Sequence, residues 1–172
     1  MMQRLLVDMD GVLADIYPQY IKFEESESGI KHTLESLKGI SEAEAFKNLR
    51  KYLFSQGFFG GAPVIRGSYE ALFKLNSKYE LYVVSSATEF PQSLPEKYAW
   101  LKENFPFIGW QQMVFCGSKA VVQGDIMIDD HFKNLDLFKG RTILYTQPHN
   151  DGLPDKHHTR VRSWEEILTL LI

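Results

Sequence analysis

Leu5-Leu6-Val7-Asp8-Met9-Asp10-Gly11-Val12-Leu13-Ala14-Asp15 is an apolar run broken by two carboxylates two positions apart and then by glycine. Folding alone gives no reason for this. Aspartate is a poor strand former and is rarely buried without a partner, so two of them where a buried strand should end mark a charged site. Gly11 lets the chain turn sharply. If Leu5 to Val7 lie in a central parallel strand, Asp8 and Asp10 reach the edge where open α/β sheets hold their ligands. A cation there would relieve their repulsion, and oxygen donors with few nearby histidines favour Mg2+ over zinc. Taken alone, Asp-x-Asp-Gly also fits a solvated turn, so the rest of the chain decides.

Short apolar runs alternate with amphipathic stretches, the pattern of an α/β domain. The expected strands are Arg4 to Asp8, Glu80 to Ser85, Gln112 to Cys116, Asp125 to Asp129 and Thr142 to Tyr145. Helices are expected at Gly67 to Ser77, Glu96 to Asn104, Asn134 to Phe138 and Ser163 to Leu171, the last with a Ser163/Glu166 capping box. Residues 16–62 break the alternation because they hold no convincing strand. Ser41 with Glu44 forms another capping box, and Ala45, Phe46, Leu49, Leu53 and Phe54 follow at helical spacing. The expectation is a parallel, Rossmann-like sheet flanked by helices, built from residues 1–15 and 63–172, with a small helical cap, residues 16–62, inserted after the first strand.

Three more strand ends carry chemistry. Ser85-Ser86 closes the second strand with hydroxyl and N–H donors suited to phosphate oxygens. Lys119 follows the third, and Asp129-Asp130 ends Ile126-Met127-Ile128. A second acidic strand end is hard to explain as another solvated turn. An anionic phosphate ester repels an anionic nucleophile, so phosphoryl transfer needs a cation, positive donors and in-line placement. In such a site Asp8 attacks phosphorus and Asp10 exchanges the proton with leaving group and water. Asp8, the Asp10 carbonyl and Asp129 or Asp130 hold Mg2+, and Ser85, Ser86 and Lys119 hold the phosphoryl oxygens.

The ordered set Asp8/Asp10, Ser85, Lys119 and Asp129/Asp130 resembles the motifs of haloacid-dehalogenase-like phosphatases. Asp8 to Asp15, Glu96-Lys97-Tyr98-Ala99-Trp100 and Ile128-Asp129-Asp130 are similar to 5'(3')-deoxyribonucleotidases within that superfamily, as is Gly57-Phe58-Phe59 followed by Pro63 and Gly67. The resemblance implies an α/β core with a cap and a Mg2+-dependent nucleotidase. It also implies a nucleophilic Asp8, an acid/base Asp10 and Asp130 as metal ligand. The chain departs from the family pattern at Ser85, where threonine is more usual, at His131, where arginine is frequent, and at Ile16-Tyr17, where an aromatic is expected earlier. Tyr17, Phe58 and Phe59 are candidates for stacking on the nucleobase. A homodimer is compatible with the family.

Other function classes fit less well. A phospho-accepting receiver domain also combines acids, a hydroxyl and a lysine, but keeps its acidic pair on the first strand; here the pair comes last. A silent binding protein on the same scaffold would have little use for intact Asp8, Asp10, Lys119 and Asp130. A net charge of −3 gives no basic face for a nucleic-acid polymer. The single cysteine, Cys116, forms no intrachain disulfide and fits a reduced compartment. No run is long enough for a membrane span, and cytoplasmic residence is the expectation. Trp100 reads as packing, His157 and His158 as a solvated loop, and Arg160 and Arg162 as surface charges.

Overall fold

The computed structural model describes residues 2–172. Six strands, β1 (Arg4–Asp8), β2 (Glu80–Ser85), β3 (Met113–Phe115), β4 (Ile126–Asp129), β5 (Arg141–Tyr145) and β6 (Thr159–Val161), form one sheet in the order β3-β2-β1-β4-β5-β6. Every pairing is parallel. The chain runs outward from β1 through β2 to β3, then returns to the other side of β1 for β4. That reversal puts the switch point between β1 and β4, where such sheets open a crevice at their carboxyl ends.

β1 is apolar on both faces because helices cover both. Leu5 and Val7 enter the larger core cluster. Leu6 points the other way, among Val84, Met127, Leu135 and Leu144. The helices are α1 (Tyr17–Ser28), α2 (Glu42–Ala45), α3 (Leu49–Leu53), α4 (Ser68–Asn76), α5 (Ser93–Asn104), α6 (Phe132–Leu135) and α7 (Trp164–Leu171). Ser163 caps α7 by accepting from the Glu166 N–H at 3.3 Å, as its spacing predicts.

Residues 16–62 contain α1 to α3 and no strand. The apolar repeat from Ala45 to Phe54 predicts one helix, but the chain leaves helical geometry at Phe46, whose φ is −116°. The reason is aromatic packing: Phe46 is buried and stacks on Tyr20 at 5.1 Å between centroids.

Several sequence expectations need correction. β6 was not expected, since Thr159-Arg160-Val161 carries no apolar run. His158, expected in a solvated loop, is buried and bonded to Thr142 Oγ1 at 2.8 Å and Asp136 Oδ1 at 3.0 Å. Arg160, expected as a surface charge, is half-buried and donates to Asn150 Oδ1 at 2.9 Å. Trp100 does pack as expected; its indole N–H donates to the Ala62 carbonyl at 2.7 Å. Among the described residues no helix is long and apolar enough to cross a membrane.

Candidate active site

Asp8 ends β1 with its carboxylate almost fully enclosed. The chain then turns tightly, with the Met9 carbonyl accepting from the N–H groups of Leu13 and Ala14 at 2.9 Å each. Gly11 makes this possible with φ of 79°. It also leaves space, because a Cβ there would lie 2.2 Å from Asp130 Oδ2. Two side chains from far along the sequence brace the turn. Gln147 Nε2 donates to the Gly11 carbonyl at 2.6 Å, and the buried Trp164 indole donates to Val12 at 2.9 Å.

β4 brings its acids alongside. Lys119 Nζ lies 2.5 Å from Asp8 Oδ1 and 2.6 Å from Asp129 Oδ2, with all three groups buried. Burial disfavours the charged lysine, but the Asp129 and Asp8 carboxylates outweigh it and push its pKa up. Asp129 accepts further bonds from the His131 N–H at 2.8 Å and the Asn134 amide at 3.0 Å. Burial resists its charge, yet Lys119 holds it below the usual carboxylate range. Asp130 has weaker support, its Oδ2 lying 3.9 Å from Nε2 of both His131 and His149. Its Oδ1 is buried without a partner, and burial pushes its pKa up. Burial likewise pushes Asp8 well up, with Lys119 opposing.

The opposite wall holds a residue that sequence reasoning missed. Lys97, on α5, is buried; its ammonium pairs with Asp10 Oδ2, donates to Ser85 Oγ at 2.9 Å and sits 4.3 Å from the centre of the Phe59 ring. The signal was present in Glu96-Lys97-Tyr98-Ala99-Trp100, but an amphipathic helix does not reveal that one lysine points inward at a carboxylate 87 positions away.

These groups surround a cavity of about 240 Å³. Asp8, Asp10, Ser85, Ser86, Lys97 and Lys119 line its polar floor, and Leu49, Leu53, Phe59 and Phe90 form an apolar side. Phe59 therefore faces the cavity as expected of a stacking residue, whereas Tyr17 and Phe58 do not. Phe58 is packed between Tyr20 and Phe23. Tyr17 is not a lining residue; its hydroxyl lies 3.0 Å from His149 Nδ1 and donates to Glu42 Oε1, at the cavity edge, at 3.4 Å. Tyr20 takes the place at the cavity wall. The expectation of few histidines nearby also fails, since His131 and His149 stack 4.3 Å apart beside Asp130.

The residues fit a divalent cation. Carboxylate oxygens of Asp8, Asp129 and Asp130 lie within 4.8 Å of one another, and the buried oxygens Asp130 Oδ1 and Asp10 Oδ1 have no hydrogen-bond donor. An all-oxygen set is suited to a hard ion. Asp129 is already committed to Lys119 and Asn134, which leaves Asp130 as the free carboxylate of the pair.

The family described as 5' nucleotidase, deoxy (pyrimidine), cytosolic type C, matches residues 1–172. The 5'(3')-deoxyribonucleotidase of Bacillus subtilis strain 168 is 37% identical over 166 residues, covering 95% of each chain. Among solved structures, the haloacid dehalogenase-like family protein SP0104 of Streptococcus pneumoniae superposes with a TM-score of 0.66 at 14% identity, covering 99% of both chains. YfnB of Bacillus subtilis, solved bound to magnesium, superposes with a TM-score of 0.61 at 15% identity, over 99% of this chain and 98% of the other.

Proposed function

The chain belongs to the family described as 5' nucleotidase, deoxy (pyrimidine), cytosolic type C, and from that membership we propose that it hydrolyses nucleoside monophosphates, deoxyribonucleotides foremost, to nucleoside and phosphate. The relatives named 5'(3')-deoxyribonucleotidase support the substrate class. The observation that carries the chemistry is the Lys119 ammonium between Asp8 and Asp129, which ties three strand ends into one charged floor.

Asp8 and Asp130, with the Asp10 main-chain carbonyl, are the residues that would hold Mg2+. When bound, the ion neutralises charge on the phosphoryl group and on the clustered carboxylates. Asp129 then serves to fix Lys119. Asp8 forms a bond to phosphorus as the bond to the ester oxygen breaks, and Asp10 gives that oxygen its proton. Asp10 next takes a proton from water, whose oxygen displaces Asp8 and leaves free phosphate. Lys97 and Ser85 point at the same space and receive phosphoryl oxygens. An incoming phosphate competes with Asp10 for Lys97, freeing the acid to carry its proton.

The apolar side formed by Leu49, Leu53, Phe59 and Phe90 suits a nucleobase, with Phe59 and Phe90 rings 6.2 Å apart. Residues 16–62 act as the cap in this reading. Phosphate release from dUMP, dTMP, UMP and unrelated phosphate esters, measured with and without Mg2+, tests it. Turnover of nucleotides that needs Mg2+ is expected; no turnover of any nucleotide would remove the reading.

A further inference from the structure

The cavity wall carries a carboxylate that the proposed chemistry does not use. Glu42 comes from α2 in the helical segment and lines the cavity beside His131. Its Oε1 is anchored, lying 3.0 Å from His149 Nδ1 and accepting from the Tyr17 hydroxyl at 3.4 Å. Oε2 has no such anchor. Among the described residues no other group bonds to it, and it is not one of the buried oxygens lacking a partner, so it is open to the cavity. Resting on the nucleotidase reading, we infer that Glu42 selects the sugar: Oε2 accepts a hydrogen bond from the sugar hydroxyl that carries no phosphate, and its charge turns away nucleotides with a second phosphate there.

Placement points to the sugar. His149 Nε2 sits 2.9 Å from the Asp130 carbonyl, so a single imidazole separates Glu42 from the acidic floor that takes the phosphate. The apolar side of Leu49, Leu53, Phe59 and Phe90 takes the base. The part of a nucleotide that joins phosphate to base, and that carries hydroxyl donors, is the sugar.

Charge supports the same assignment. Burial resists ionisation of Glu42, but the bond to His149 outweighs it and holds its pKa down to about 2. The group is therefore a carboxylate, which only accepts. Its side chain is 15% exposed, so water screens the charge incompletely. A second phosphate would also find little compensation. Lys97 pairs with Asp10, and Lys119 with Asp8 and Asp129. Lys133, the remaining lysine of the lining, is exposed, and solvent weakens its pull. Like charges brought together reject a ligand strongly, and a polar group built to meet a hydroxyl penalises its absence.

Initial rates of phosphate release from dTMP, its 3'-deoxy analogue and thymidine 3',5'-bisphosphate, at saturating Mg2+, test the inference. The parent protein should favour dTMP over each of the other two by at least about tenfold in kcat/KM, chiefly through KM. In Glu42→Gln both preferences should shrink several-fold, and the bisphosphate should be hydrolysed faster than by the parent. A role confined to holding α2 in place would move all three substrates together. Glu42→Asp keeps the charge and draws the oxygens back, so it should still reject the bisphosphate while losing the preference for dTMP over the 3'-deoxy analogue, a comparison that serves if Glu42→Gln folds poorly. Equal turnover of the three substrates by the parent overturns the inference and leaves the nucleotidase reading standing. So do parent-like preferences in Glu42→Gln. No turnover of any of them removes both.

Discussion

Lys97 and Asp10 meet inside the cavity as an ion pair, one carried by helix α5 and the other by the turn after β1. The lysine side chain is 3% exposed, and its other neighbours are the Ser85 hydroxyl and the face of Phe59. A buried ammonium with that company is placed to exchange Asp10 for a phosphate.

Replacing Lys97 with methionine keeps the length and removes the charge. A charge-assisted hydrogen bond contributes about 1.5–3 kcal/mol, so kcat/KM for a nucleoside monophosphate should fall roughly 10- to 150-fold with the circular dichroism unchanged. Steady-state kinetics checks this, and parent-level activity would remove Lys97 from phosphate binding.

Asp8→Asn should abolish turnover while the protein still melts cooperatively, because an amide does not attack phosphorus usefully. Asp10→Asn should lower kcat by about 10²–10⁴ and keep Mg2+ binding, since its main-chain carbonyl remains. Single-turnover kinetics with calorimetric Mg2+ titration separates the two outcomes.

Chelation should silence the enzyme reversibly, and the two neighbouring acids should then differ. Asp130→Asn should raise the Mg2+ concentration needed for half-maximal rate by at least about tenfold. Asp129→Asn, which loosens Lys119, should lower kcat with a smaller change in Mg2+ requirement. Rates measured across a Mg2+ series after EDTA treatment decide between them.

Gly11→Ala joins two penalties, a left-handed backbone at φ 79° and a Cβ 2.2 Å from Asp130 Oδ2. Strain at such a position costs about 1–3 kcal/mol. The variant should melt several degrees lower and bind Mg2+ more weakly because Asp130 must move aside. Thermal melts with and without Mg2+ measure both effects.

The Glu42–His149 pair predicts a pH dependence of stability in the presence of EDTA. Burial works against the charged His149 ring, but Glu42 and Asp130 outweigh it and push its pKa up to about 9. Burial works against Glu42 too, and the bond to His149 overcomes it, bringing Glu42 down to about 2. A raised histidine binds more protons folded than unfolded, so its contribution is complete below the unfolded value near 6.5 and disappears as pH rises through about 9. The Glu42 contribution is lost only on acidification from about 4.5 toward 2. The melting temperature should therefore decline between pH 6.5 and 9 in the parent protein and decline less in Glu42→Gln.

What the sequence disclosed follows from where burial leaves a trace. β1 and β4 are covered on both faces, so they appear as apolar runs, and the acids that end them stand out. β6 lies at the sheet edge with three residues, too short and too polar to differ from a loop. Asp129 and Asp130 are adjacent in sequence and equally acidic; the sequence does not show that Lys119 pairs with Asp129. Tyr17, Phe58 and Phe59 are aromatic alike, and the choice between core and cavity depends on the path of α1 against the segment before α4. Lys97 was hidden for the same reason, since its partner lies on another element.

The clasp on the Asp8 turn comes from residues 136 and 152 positions downstream, Gln147 on Gly11 and Trp164 on Val12. Contacts of such long range form late, after the intervening chain has been gathered in. A partially assembled molecule lacking the docked α7 would present Asp8 on a slack loop. Catalytic competence should therefore mature last during refolding, trailing the recovery of helical signal and coinciding with the sequestration of the Trp164 indole.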